Sequence, residues 1–149
     1  MVYDITKGFS ELKRPVWDVK STALVEDMST GRFVELSGGE AVKAHSAGGA
    51  VTYAQKGRVR PIWSGVDRPD GQELQKVVVP FGEHEAETDG YHEDPTSLST
   101  ARAAWAEGQA LVVVDGKLAP FLDGTDKDYA ILGYVVSVPS DGIIKVHLY

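Results

Sequence analysis

The feature that most limits this chain is the way its apolar residues are grouped. They come in short, β-branched runs that end at Gly, Pro or Asp-Gly. The last forty residues show it best. Ala110 to Val114 (ALVVV) is followed by Asp115-Gly116, and Lys117 to Phe121 returns. Asp-Gly between two apolar runs is a strong signal for a two-residue hairpin turn, because both central residues need positive φ. Tyr129 to Val138 then reads as a long strand, with Gly133 as a bulge or a point of close approach. Pro139-Ser140-Asp141-Gly142 is a second turn, and Ile143 to Leu148 closes the chain. In that last strand Ile144, Val146 and Leu148 share one face, and Lys145 and His147 share the other.

Upstream the same grammar is weaker. Val19 to Val25 and Arg32 to Leu36 read as strands around the turn Glu26 to Gly31. Ala41 to Ala44 and Ala50 to Ala54 are short strands beside the small-residue loop Ser46 to Gly49. Arg58 to Trp63 contains Pro61, which lacks a ladder donor, so it belongs at an edge or is irregular. Val77 to Val79 is a strand stopped by Pro80, after the turn-rich loop Val66 to Gln72. Glu83 to Pro95 is acidic and reads as a loop or an exposed edge. Ser97 to Glu107 is the best helix candidate, with Leu98, Ala101 and Trp105 on one side and Gly108 as the stop. Met1 to Arg14 has no clean period. The expected fold is all-β: a compact barrel or sandwich of short antiparallel strands, with one short helix. An irregular N-terminal arm over 1–18 precedes a single β-rich domain over 19–149.

Composition narrows the function. A chain of 149 residues with 42% apolar content buries a core without metals or disulfides. The formal charge of −7 argues against nucleic acid and anionic membranes, which are bound through Lys and Arg. It suits a partner with a basic surface. The absence of cysteine excludes thiol catalysis and thiolate metal sites. The N-terminus lacks the apolar stretch of a signal peptide, and runs such as Leu111 to Val114 are too short to span a bilayer.

Few residues carry recognisable chemistry. Between Glu83 and Asp94 lie acids and imidazoles, among which Glu85, Asp89 and His92 are the weak candidates for a divalent cation. Their spacing matches no ligand template, so a hydrated acidic loop is the plainer reading and no metal or cofactor is expected. Asp123, Asp126 and Asp128 lack the closing Glu of a calcium loop. Four histidines (His45, His84, His92, His147) occur without a Gly-x-Ser-x-Gly elbow. No enzyme is expected. Trp63 with Arg58, Arg60 and Arg68 offers a stacking surface for a base or sugar, although a buried Trp63 fits the acidic total better. Trp17 and Trp105 read as core or interface anchors.

The stretch Gln109 to Tyr149 carries a resemblance. Its scheme is Gly108 to Val113, then Gly116-Lys117-Leu118, then Gly133-Tyr134-Val135, then the final strand Ile143 to Leu148. This resembles the C-terminal part of tailed-bacteriophage capsid decoration (cement) proteins and related small head proteins. The resemblance covers about a third of the chain. It implies a virion protein that sits on the capsid surface, binds the major capsid protein and forms a homo-oligomer, often a trimer. On that reading Tyr3, Phe9, Leu12 and Trp17 of the arm are the expected partner contacts. A tail-tube or head–tail connector module suits the same features. A carbohydrate-binding or hydrolytic β-domain using Trp63, Trp105 and the acids of Glu83 to Asp94 is the alternative of another class.

Overall fold

The computed structural model describes residues 2–9, 11–19, 28–44, 50–52, 55–63, 76–123 and 130–149. Eleven strands are among them. They are β1 (Tyr3–Gly8), β2 (Val16–Val19), β3 (Phe33–Ser37), β4 (Glu40–Lys43), β5 (Val59–Pro61) and β6 (Lys76–Val78). They continue as β7 (His84–Thr88), β8 (Ala110–Val114), β9 (Lys117–Pro120), β10 (Gly133–Ser140) and β11 (Ile143–Leu148). The fold is all-β.

Two sheets hold these strands. One has the order β1-β7-β11-β10-β8-β9, and the other has β5-β3-β4-β2-β6. Neighbours are antiparallel except β2 and β4, which run parallel. Each sheet curls back on itself. In the six-stranded sheet the N–H of Leu118 on β9 donates to the Gly90 carbonyl at 2.9 Å, and its carbonyl accepts from the N–H of His92 at 3.0 Å. The far strand thus meets the chain that leaves β7. In the five-stranded sheet the N–H of Trp63, just past β5, donates to the Val78 carbonyl on β6 at 2.8 Å. Curling of this kind leaves fewer open edges.

Side-chain alternation explains the core. Ile144, Val146 and Leu148 of β11, Ala86 of β7, and Leu111 and Val113 of β8 point inward. They form one cluster with Tyr3, Phe33, Leu118 and Val135. The five-stranded sheet buries Val34, Leu36, Ala41, Ile62, Val77 and Val79 in a second cluster. The β8–β9 turn is as read from the sequence: Asp115 and Gly116 have φ of 49° and 79°. At the next hairpin Asp141 and Gly142 have φ of 53° and 77°, while Pro139 and Ser140 belong to β10. Pro139 is tolerated because β8 pairs with β10 only at Gly133 and Tyr134, so the far half of β10 is an edge. Gly133 is a point of close approach. A Cβ there would lie 1.9 Å from the His147 carbonyl oxygen. Val59–Pro61 forms an edge strand, as its proline implies.

Several expectations are corrected. The described residues of the 1–18 segment, 2–9 and 11–18, do not form an irregular arm. β1 pairs with β7, β2 lies between β4 and β6, and Lys13 exchanges backbone hydrogen bonds with Phe81 at 3.1 and 2.8 Å. The boundary after residue 18 cuts through β2. The alternation in β1 is short and is broken by a bulge between Ile5 and Lys7, which hides its period. The helix expected over Ser97 to Glu107 does not form. A 3-10 turn at Pro95–Ser97 is followed by chain without regular structure. This segment is anchored by tertiary contacts instead. Leu98 packs on Ala50, Val112, Val114 and Ala119, the Arg102 Nη1 donates to the Pro120 carbonyl at 2.9 Å, and the Trp105 Nε1 donates to the His92 carbonyl at 2.9 Å. Such contacts outweigh a modest helix propensity. Of the strand expected at Ala50 to Ala54, Ala50 makes an isolated bridge to Val114, and residues 53–54 lie outside the described residues. Glu83 to Pro95 is neither a loop throughout nor an exposed edge, because its first part is β7, an internal strand between β1 and β11. The readings at 20–25, 45–49, 64–75 and 124–129 also fall outside the described residues.

Candidate functional site

β7 decides where the site lies. Its sequence HEAET alternates strictly: His84, Ala86 and Thr88 are buried, while Glu85 and Glu87 face outward. Registers across the six-stranded sheet then line up outward side chains. One row runs Lys7, Glu85, His147, Tyr134 over β1, β7, β11 and β10. A second row runs Asp4, Glu87, Lys145, Ser137 over the same strands.

The first row carries a cluster of rings. The His147 imidazole stacks on Tyr134 at 4.8 Å between centroids and 11° between planes. Phe9, on the β1 side, lies 4.8 Å from His147 at 44°. Tyr149 meets the imidazole edge-on at 5.9 Å. The rings are large and solvent-facing: Phe9 is 43% exposed, Tyr134 36% and Tyr149 47%. His147 lies buried beneath them. Its Nε2 is 3.5 Å from the Glu83 carboxylate and its Nδ1 is 3.6 Å from that of Glu85, and Nδ1 makes no hydrogen bond. The Lys7 ammonium sits 4.8 Å above Phe9. Beside this cluster is a hollow of about 300 Å³ lined by Glu87, Ser137, Val138, Ser140, Ile143 and Lys145.

Beneath this face the sheet is braced by a buried polar pair. Tyr3 and His84 are 2% and 0% exposed. The His84 Nδ1 lies 2.8 Å from the Gly82 carbonyl, which only accepts, so Nδ1 carries the proton and Nε2 accepts from the Tyr3 hydroxyl. Burial lowers the pKa of His84. The hydrogen bond to Gly82 opposes this, and Arg60 and His147 add to the lowering. Burial drives the Tyr3 hydroxyl well above the usual range. Arg60 of β5 joins the two sheets. It donates to the carbonyls of Pro80 at 2.8 Å, Tyr149 at 3.1 Å and Gly82 at 3.4 Å.

The residues singled out from sequence scatter. Tyr3 is in the core and presents nothing to a partner, which corrects its assignment as a contact. Trp17 packs against the second core cluster, so it too serves the interior. Leu12 is half-buried and outside the ring cluster. Phe9 alone of the four belongs to the cluster. Glu85, Asp89 and His92 do not converge. Glu85 faces His147, Asp89 accepts from the Val2 N–H at 3.0 Å, and the His92 Nε2 meets the Val114 carbonyl at 2.7 Å. No group of three or more His, Asp or Glu placed to hold a metal ion occurs among the described residues. Trp63 carries the Arg14 guanidinium 4.1 Å above its ring and packs on the first cluster, as does Trp105. Arg58 pairs with Glu35 at 3.5 Å. His45, Arg68, Asp126 and Asp128 lie outside the described residues.

Sequence reasoning missed Tyr134 and Tyr149 as site residues. The signal was present in part, since the alternation of Ile143 to Leu148 already set His147 on the outward face. No protein-family model, curated protein or solved structure matches the chain.

Proposed function

We propose that this chain is a non-catalytic binding module of the capsid-decoration kind, attached to the major capsid protein on the outer surface of a virion. It attaches through the outward face of the six-stranded sheet. One observation carries the docking face: of the five large hydrophobic side chains exposed among the described residues, Phe9, Tyr134, Val138 and Tyr149 belong to this face, its rings and the adjoining hollow. Grouped exposed apolar side chains mark interaction surfaces, whereas scattered ones are ordinary. The turn-and-strand scheme of Gln109 to Tyr149 supports the virion assignment. The histidines support a binding role over catalysis, because both ring nitrogens of His84 and the Nε2 of His92 are spent on the fold. A repeating shell suits a small module, because many weak contacts add up across identical sites.

The test is co-sedimentation with expanded shells assembled from the major capsid protein encoded alongside the chain. The wild-type chain pellets with shells, and Tyr134→Ala with Tyr149→Ala releases it while its melting curve stays cooperative. A wild-type chain that stays in the supernatant overturns the reading. Light scattering at three times the 16.1 kDa chain mass is the expected result for a decoration trimer. A larger ring that ignores shells moves the assignment to a tail or connector module.

A further inference from the structure

We infer that the group this face receives from its partner is a cationic side chain, with an arginine guanidinium the best fit. This rests on the docking reading above and names the chemistry at that site. The argument starts from what the chain itself has placed there. The Lys7 ammonium lies over Phe9, and the His147 imidazole is flanked by Phe9 and Tyr134 with a carboxylate facing each ring nitrogen. One cation of the protein, the Lys7 ammonium, is thus already seated on an aromatic face, on a strand position in register with Glu85. Aromatic faces attract cations through their quadrupoles, and carboxylates attract them directly.

The environment has capacity left. Glu83 keeps 45% of its side chain exposed and lies beside His147. Tyr134 and Tyr149, 6.4 Å apart, present open ring surface next to it. Outward positions on β7 are acidic at both Glu85 and Glu87, and the chain as a whole carries −7. An anionic partner would be repelled. A guanidinium suits the geometry better than an ammonium, because it is planar, stacks on tyrosine and binds a carboxylate through two N–H groups.

The probe is N-acetyl-arginine amide, set against its neutral isostere N-acetyl-citrulline amide and against methyl glucoside. Each is titrated while the ring resonances of Tyr134, His147 and Tyr149 are followed by NMR. The arginine compound is expected to shift all three rings, less so as salt rises, and the shift is expected to vanish in Glu83→Gln. Equal shifts from citrulline, or shifts from the glucoside alone, overturn the inference in favour of neutral or sugar recognition. On shells, Glu83→Gln with Glu85→Gln is expected to weaken attachment about tenfold, the scale of a lost charge-assisted contact. If Tyr134→Ala with Tyr149→Ala releases the chain but the glutamine pair does not, the docking face stands and the cationic partner falls. If neither pair changes attachment, both fall.

Discussion

Replacing Tyr3 with Phe tests the most consequential correction, that the N-terminal residues belong to the body of the fold. The substitution keeps the ring and its packing against the main core and removes only the hydroxyl. The loss leaves the His84 Nε2 without its donor in a site where the two residues are 2% and 0% exposed. A buried acceptor left unpaired costs about 1–3 kcal/mol. For a chain of this size each kcal/mol moves the melting temperature by roughly 2–4 °C, so the expected drop is about 2–12 °C. Guanidinium unfolding should show a lower midpoint with an unchanged slope, because the surface exposed on unfolding stays the same. Phe9→Ser, one residue past the exposed end of the same strand, is the control, with an expected loss of about 1 kcal/mol or less. A loss below about 0.5 kcal/mol for Tyr3→Phe would refute the reasoning, because a detached arm is the arrangement that predicts it.

Three further outcomes follow from the same structure. His84 is held neutral by burial, with its pKa lowered, so the unfolded chain takes up a proton that the folded chain resists. Stability from this group is complete above the ordinary histidine pKa of about 6.5 and is lost as pH falls below it toward the lowered folded value. Melting temperatures measured downward from neutral pH should therefore fall more steeply for wild type than for His84→Phe, and parallel curves would exclude the effect. Gly133→Ala drives a Cβ against the His147 carbonyl and should cost about 3 kcal/mol by forcing β10 away from β11, read as a lowered melting temperature. Asp141→Val puts a β-branched residue at φ of 53° and should cost about 1–3 kcal/mol, whereas Asp141→Asn should stay within about 0.5 kcal/mol in the same melts.

Where the chain makes its decisions locally, they were legible. Asp115-Gly116 and Asp141-Gly142 adopt positive φ because the hairpin turn demands it, and the inward face of β11 follows from alternation alone. Pro61 sits on an edge strand because it cannot donate to a ladder. Long-range choices were not legible. HEAET has the alternation of a strand, yet its charges read as a loop or an exposed edge. Only the pairing of β1 on one side and β11 on the other gives His84, Ala86 and Thr88 an interior to fill. Arg102 and Trp105 follow the surface they pack on instead of a helical period, because their partners, Pro120 and His92, come from other parts of the chain.

The ring cluster shows the same division most sharply. The Asp141-Gly142 turn sets Ser140 opposite Ile143, and counting back from it would place Tyr134 opposite Tyr149. Two bulges in β10 shift the register so that Tyr134 meets His147 instead. Phe9 reaches the same imidazole through β1 and β7, strands separated by more than seventy residues of sequence. The sequence alone determined the all-β class, the tight turns and which side of each clear strand is apolar, because those depend on residues a few positions apart. Which strands become neighbours, and so which aromatic and acidic side chains meet on the outer face, was decided by tertiary pairing, because side chains on different strands acquire a common surface only when the sheet that joins them has formed.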